Sequence, residues 1–459
     1  MHRIALFLLV VALLLPPGAS AAPAPPDPRF GIVETFVNPE AATAAGAGYS
    51  RIILRWDVIQ PAGPADWKPA NVPDPAIAAE LDAGREVVAV LIGTPTWASA
   101  QGGQSSRDVP DMFHWEQFVR RMAQHYRGRI SHWIIWNEPD VWDTAHPGST
   151  WAGTEEDYYR LLRTAYLAIK GVDPDQEVLL AGMTYYWDWA HGRRRYLDRL
   201  LEVIAADPEA AANGYYFDAV LYHLYFNPNQ TVDVLRETRQ TLARYGIAGK
   251  DIWINETNAP PADDPQEPPW APARFPISQK EQAAFILQEY ALAFSSGAAR
   301  VEVYKLRNST DHPESIEPFG LLRADDSRRP AFAAYQVATT YLGGFRSALR
   351  ETQGDATAVT FDRDTKTTTV LWNAGRRPLR VAVRAVAREG KLVDEAGNAT
   401  TVRPTGGFYR LDLPSATCKG GGRCPIGGAP RLLVEEAPSN GRRALAVSSA
   451  PRPTPTPVR

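Results

Sequence analysis

The stretch ISHWIIWNEP, residues 130–139, runs from apolar Trp133, Ile134, Ile135 and Trp136 straight into an amide, a carboxylate and a proline. An apolar run of this length bounded by a proline reads as a buried strand. A carboxylate beside buried residues is costly unless it is paired or put to use. Glu138 is therefore placed at the end of a strand with a task to perform. Seven further runs of the same character surround it: FGIVETFV (30–37), SRIILRWDVI (50–59), EVVAVLIGTP (86–95), EVLLAGMTYY (177–186), FDAVLYHLYF (217–226), DIWINETN (251–258) and ARVEVYKLRN (299–308). Helical patterns lie between them. In residues 113–126, Trp115, Phe118, Val119, Met122 and Tyr126 recur at helical spacing, and after a candidate N-cap at Thr154 the residues Leu162, Ala165, Tyr166 and Ile169 share a face. Eight strand-helix units over more than about 250 residues predict a (β/α)8 TIM barrel of class α/β, with a doubly wound open sheet as the alternative.

Outside the barrel the texture changes. After a last helical pattern at 329–342, short alternating runs such as ATAVTFDRDTKTTTVLWNAG and GGFYRLDLP follow one another between turn residues. They predict a C-terminal β-sandwich over 343–436, with a disordered Pro/Thr-rich tail at 437–459. At the other end, His2 and Arg3 precede the apolar run IALFLLVVALLL and the small residues Ala19, Ser20 and Ala21. Residues 1–21 read as a secretory signal peptide, which leaves 22–342 for the barrel domain and predicts a secreted chain with no membrane span once mature. Cys418 and Cys424, across a Gly-rich loop, read best in an exported protein as a disulfide, free thiols being the other possibility.

Charge narrows the partners. A net charge of −3 supplies no basic field for nucleic acid or an anionic membrane. Eight histidines without a spaced ligand set argue against a metal site. A monomer acting on a neutral or small partner, with no cofactor, is expected.

In such barrels the active site lies at the carboxyl ends of the strands. Glu138 after the fourth strand and Glu256 after the seventh are the best-placed acids, and barrel closure can set them across one pocket as a paired-carboxylate mechanism requires. Aromatic faces stack on sugar rings. Trp56, Trp97, Trp136, Trp142, Trp151, Trp187, Trp189 and Trp270 fall near strand ends or loops, and Trp97 and Trp187 are the candidate platforms.

WNEP at a fourth strand, a Glu near the end of a seventh, RIILRWDVIQP at a second and YHLYF at a sixth resemble the glycoside hydrolases of clan A. YRLLRTAYLAIKGVDPDQEVLLAG and the following sandwich are similar to the family 39 β-xylosidases and exopolysaccharide endoglycosidases. The likeness covers most of 30–342. It implies a retaining mechanism on an oligosaccharide or polysaccharide, with Glu138 as acid/base and Glu256 as nucleophile about 5–5.5 Å apart. By the same resemblance Asn137 bonds the sugar 2-hydroxyl, Tyr225 donates to the nucleophile and His223 meets substrate or acid. Arg55 shares its strand face with Ile53 and is the candidate cation that keeps Glu256 ionised. Clan members commonly carry a Trp near the end of strand eight, where this chain has Tyr304. Lys305, Arg307, Arg193, Arg194 and Arg195 offer charges that could read an acidic sugar. A barrel that binds saccharide without cleaving it, or a structural wall or biofilm protein, would keep the tryptophans and misplace a carboxylate.

Overall fold

A computed structural model of the chain describes residues 25–103, 105–267, 276–309, 318–418, 424–441 and 444–445. The segment read as a signal peptide, Trp270 and all of the tail beyond residue 445 lie outside the described residues. Strands β1 (Phe30–Val33), β2 (Tyr49–Arg55), β3 (Glu86–Ile92), β4 (His132–Ile135), β5 (Glu177–Leu179), β6 (Ala219–Tyr225), β7 (Asp251–Asn258) and β8 (Arg300–Val303) close into a barrel in chain order. Each pairs parallel with its neighbour, and β8 pairs with β1, which excludes the open sheet.

Most strands end sooner than their apolar runs. β4 stops at Ile135, because Trp136 and Glu138 take left-handed backbone angles, φ 74° and 43°, that no ladder accommodates. Glu138 therefore does not end the strand; it stands on the turn three residues beyond. The helix Met112–His125 starts at the Asp111 cap and buries Trp115, Phe118, Val119 and Met122. Thr154 and Asp157 form a reciprocal capping box at the head of the helix Glu155–Val172.

Inside the barrel, Tyr49, Val88, Val90, Ile134, Leu179, Ala219, Leu221 and Trp253 pack into a plug. This apolar layer is the floor on which the polar residues above it stand.

The second unit is a sandwich. β9 (Ser347–Gln353), β10 (Ala356–Arg363), β11 (Lys366–Asn373), β13 (Gly390–Val393), β14 (Ala399–Val402) and β16 (Arg431–Glu435) form a sheet of order β14-β13-β16-β11-β10-β9. It faces the pair β12 (Leu379–Arg384) and β15 (Phe408–Leu413) across Ala358, Leu371, Val383, Tyr409, Leu411 and Leu433. Cys418 and Cys424 are joined as a disulfide. The sandwich also runs past residue 436: Ser439 bonds Asp362, Ala444 is buried in the core and Leu445 bridges to Val383, so the stretch read as tail begins as packed structure.

The helix Gln279–Ser295 is buried nearly all round. One side packs on β7 and β8 and another on β9, β10 and β11, with Gln288 exchanging hydrogen bonds with Gly427 at 2.9 and 3.1 Å. A helix without a polar face is what a position between two units demands. No helix among the described residues is long and apolar enough to cross a membrane.

Candidate active site

Strict alternation along β7 would follow inward-facing Trp253 with Asn255 and turn Glu256 out of the barrel. A bulge reverses that parity. β6 pairs Tyr222 with Ile254 and then His223 with Glu256, skipping Asn255, so Glu256 points inward beside His223. There it is nearly buried and well supplied with donors. Arg51 Nη2 donates to Oε1, the Tyr225 hydroxyl donates to Oε2 at 2.6 Å, and His223 Nδ1 lies 3.4 Å from Oε2. Burial alone would raise the proton affinity of Glu256, but the Arg51 guanidinium, the neighbouring His223 ring and the Tyr225 bond hold its carboxyl below the usual range.

The cation beside Glu256 is Arg51, not Arg55. Both face inward on β2, four residues apart, but Arg55 stands above the rim, exposed, with its guanidinium on Asp57 at 2.5 Å. Arg51 lies two layers lower and is 3% exposed. The visible signal was a charge in the middle of an apolar strand.

Glu138 approaches from the opposite wall. Its main-chain N–H bonds Gly182 O at 3.0 Å, and its Oε1 meets His223 Nδ1 at 2.6 Å. His223 Nε2 is buried without a partner, so the tautomer protonated at Nδ1 is the one that leaves no orphan donor. The Nε2 side of the ring packs against Gly182, where a Cβ would come within 2.0 Å of Nε2. One atom each from Glu138, His223 and Glu256 fall within 4.8 Å of one another. Two carboxylates and an imidazole are possible metal donors. Here both Glu256 oxygens are committed to Arg51 and Tyr225, and a dication would share the carboxylate with a guanidinium. The mutual hydrogen bonds account for the cluster.

The turn carrying Glu138 is tied down on both sides. Trp136 N bonds Leu91 O at 3.0 Å, its Nε1 bonds Thr150 O at 2.9 Å, and the Thr150 hydroxyl donates to Asn137 O. The Asn137 side-chain amide makes no hydrogen bond to another described residue. Asp140, which the sequence did not single out, accepts from Thr184 N at 2.9 Å and Oγ1 at 2.7 Å and so clasps the turns after β4 and β5.

Tyr304 follows β8 and stands edge-on to Tyr225 at 6.4 Å, beside Phe319. Trp97 is half-buried, its Nε1 on Gln60 O and its ring edge-on to Trp56 at 5.7 Å. Trp187 is sandwiched between His146 and His191 at 4.6 and 4.7 Å, and its neighbour Trp142 is the more exposed. The basic residues lie against acids. Lys305 is 3.6 Å from Glu34, Arg307 bonds Asp326, Arg193 approaches Asp188, Arg194 pairs with Glu202, and Arg195 stands near Glu237, so each has an acidic neighbour within the chain.

No family model matches the chain. Over 71 residues it is 35% identical to a β-xylosidase from Caldicellulosiruptor saccharolyticus, a match covering only 14% of this chain and 14% of that relative. Solved structures align far more completely. A family 39 glycoside hydrolase from Bacteroides cellulosilyticus superposes with a TM-score of 0.66 at 18% identity, covering 89% of this chain and 81% of that one. A family 39 β-xylosidase from Caulobacter crescentus gives 0.61 at 15%, covering 91% and 98%. A family 30 endoxylanase from Clostridium papyrosolvens gives 0.60 at 14%, covering 90% and 97%. The chain shares its barrel-and-sandwich fold with family 39 and family 30 glycoside hydrolases.

Proposed function

We propose that the chain is an exported, retaining O-glycoside hydrolase that acts on an oligosaccharide or polysaccharide, with Glu256 as nucleophile and Glu138 as acid/base. The observation that carries this reading is the approach of one oxygen of each carboxyl group to within 4.8 Å beside His223. A retaining pair stands about 5–5.5 Å apart, and an inverting pair needs about 6.5–9.5 Å to admit a water. The electrostatics favour the same assignment. Arg51 and Tyr225 keep Glu256 ionised for attack at the anomeric carbon, and Glu138 has only the imidazole as side-chain partner and so can give and regain a proton. Asn137, adjacent to the acid, has an uncommitted amide for a sugar hydroxyl.

Xylose-configured substrates are the first to try, because two of the superposed relatives are named as a β-xylosidase and an endoxylanase. Proton NMR of the first product, before mutarotation, should show the anomeric configuration retained. An inverted product would overturn the nucleophile assignment, and no turnover across a panel of xylo-, manno-, gluco- and galacto-configured glycans would overturn the hydrolase reading. Export predicts a mature N-terminus after Ala21, readable by mass spectrometry.

A further inference from the structure

One buried acid has no place in that scheme. Glu302, inward on β8 and level with Gly31 of β1, is fully buried, and no well-formed hydrogen bond reaches either carboxyl oxygen, the Arg51 main-chain N–H beside it being a weak donor. Its nearest charge is Arg51, whose Nε, itself without a hydrogen bond, lies 3.8 Å from Oε2. Arg51 thus stands between two carboxyl groups and spends its Nη2 on Glu256.

The surroundings of Glu302 decide its resting charge. β2 contributes Arg51 and Tyr49, β7 contributes Glu256, its own strand contributes Arg300, and Tyr290 and Tyr335 reach in from the helices Gln279–Ser295 and Pro330–Leu342; β1 contributes only Gly31. Arg300 is engaged by Glu86 at 2.6 Å, and both helix tyrosines donate to Gly31 O. A carboxylate out of water with no well-formed hydrogen bond is the costliest way to hold charge. Burial pushes the Glu302 carboxyl up to about 8, Arg51 pulls it back, and the Glu256 charge raises it again. In the resting site Arg51 is balanced by Glu256, and Glu302 is a neutral acid.

The balance changes when Glu256 attacks. Its carboxylate becomes a neutral glycosyl ester, and the almost fully buried Arg51 loses its counter-charge. The repulsion from Glu256 disappears while the attraction of Arg51 remains, so the ionised form of Glu302 becomes more favourable. We propose that Glu302 is a positioning residue, the reserve counter-ion of Arg51, which releases its proton to bulk water when Glu256 is esterified and regains it when the ester is hydrolysed. It touches neither substrate nor reacting atoms and acts through the guanidinium.

This inference rests on Glu256 being the nucleophile, and the test separates the two. The enzyme is labelled with an activated 2-deoxy-2-fluoro glycoside, which traps the ester, and infrared difference spectra are recorded at pH 7 with glutamate carboxyls isotopically marked. Trapping should remove one protonated-carboxyl band that belongs to neither Glu138 nor Glu256. In the free enzyme that band should titrate near pH 8, and in the trapped enzyme at least about one unit lower, the usual size of a single charge effect. Glu302→Gln should abolish the band change. Its trapped ester, deprived of the counter-ion, should turn over faster than the parent's. Labelling without loss of the band, or loss that persists in Glu302→Gln, overturns the inference alone, and the parent spectra decide the matter even if the variant folds poorly. Failure of the reagent to label Glu256 overturns the nucleophile reading and takes the inference with it.

Discussion

Glu256 and Glu138 are the same residue type within 4.8 Å of one another, yet the molecule treats them in opposite ways. Glu256 lies within a strand, 11% of its side chain exposed, with a guanidinium and a phenol on its two oxygens. Glu138 lies past the end of a strand, 20% exposed, on a turn with two left-handed residues, and one imidazole is its side-chain partner. Charge-rich surroundings favour the ionised form of one carboxyl. The other has sparser surroundings, and on the proposed assignment it is this difference in environment, not in residue type, that divides the chemistry. The left-handed turn costs about 1–3 kcal/mol per strained residue, and the bonds from Leu91, Gly182 and Thr150 hold it in place.

The largest effect should come from removing each carboxylate in turn. Glu256→Ala has no nucleophile and should abolish turnover on every substrate. Glu138→Ala should lose about 10²–10⁴-fold on glycosides with poor leaving groups, yet still form the glycosyl-enzyme from an activated aryl glycoside, whose departure needs no proton. Azide, which needs no base, should then restore turnover of Glu138→Ala as a glycosyl azide of retained configuration. A retained azide from Glu256→Ala instead would mean that the two environments had been assigned the wrong way round.

Much of this contrast was legible beforehand, and what was missed has identifiable causes. Apolar runs and helical periodicity located all eight strands, because burial writes itself into composition. The bulge at Asn255 did not, since the parity of Glu256 depends on how β7 pairs with β6, a nonlocal fact. Arg55 was singled out and Arg51, which shares its face by period-two alternation, was passed over, because alternation is silent on depth. Choosing the residue nearer the strand end chose the one in solvent. Glu302 was hidden for the same reason: VEVYKLRN shows an acid in a strand but not the guanidinium beneath the pocket that it faces.

The two arginines sharpen the comparison at the next level down. Arg51→Met leaves the Glu256 carboxyl buried without its cation, and breaking such a pair costs about 3–5 kcal/mol. Loss of one preorganised charge on the reacting group should lower kcat/KM by about 10²-fold, and the acid limb of the pH profile should move to higher pH because the largest offset to burial of Glu256 is gone. Arg55→Met removes an exposed pair with Asp57, and should change stability by no more than about 0.5 kcal/mol and rate by about twofold. Equal losses in the two variants, measured by urea unfolding and initial rates, would show that depth on β2 is not what matters.

An effect on stability alone is expected beneath the sparse side, at Asp140. It is 1% exposed, its Oδ2 takes both Thr184 donors and its Oδ1 has no partner. Burial pushes its carboxyl up to about 7; Thr184 pulls it back, and the charges of Glu138 and Asp188 add to the rise. The sign of the consequence follows from linkage. The folded chain holds this proton over a range where the unfolded chain, with an ordinary value of 3.8, has released it. The contribution of Asp140 to stability is therefore fully present below about 3.8, declines as pH rises towards 7 and is flat above. Asp140→Asn cannot ionise and still offers an oxygen to Thr184. It should be more stable than the parent at pH 8 by about 1–2 kcal/mol, after allowing for an amide donor left unpartnered, and near pH 4, where only that amide cost remains, the order should reverse. Urea midpoints at the two pH values measure it. A variant less stable than the parent at pH 8 would mean that Asp140 is ionised and firmly bound, and that the acid/base side of the site is as charge-rich as the nucleophile side.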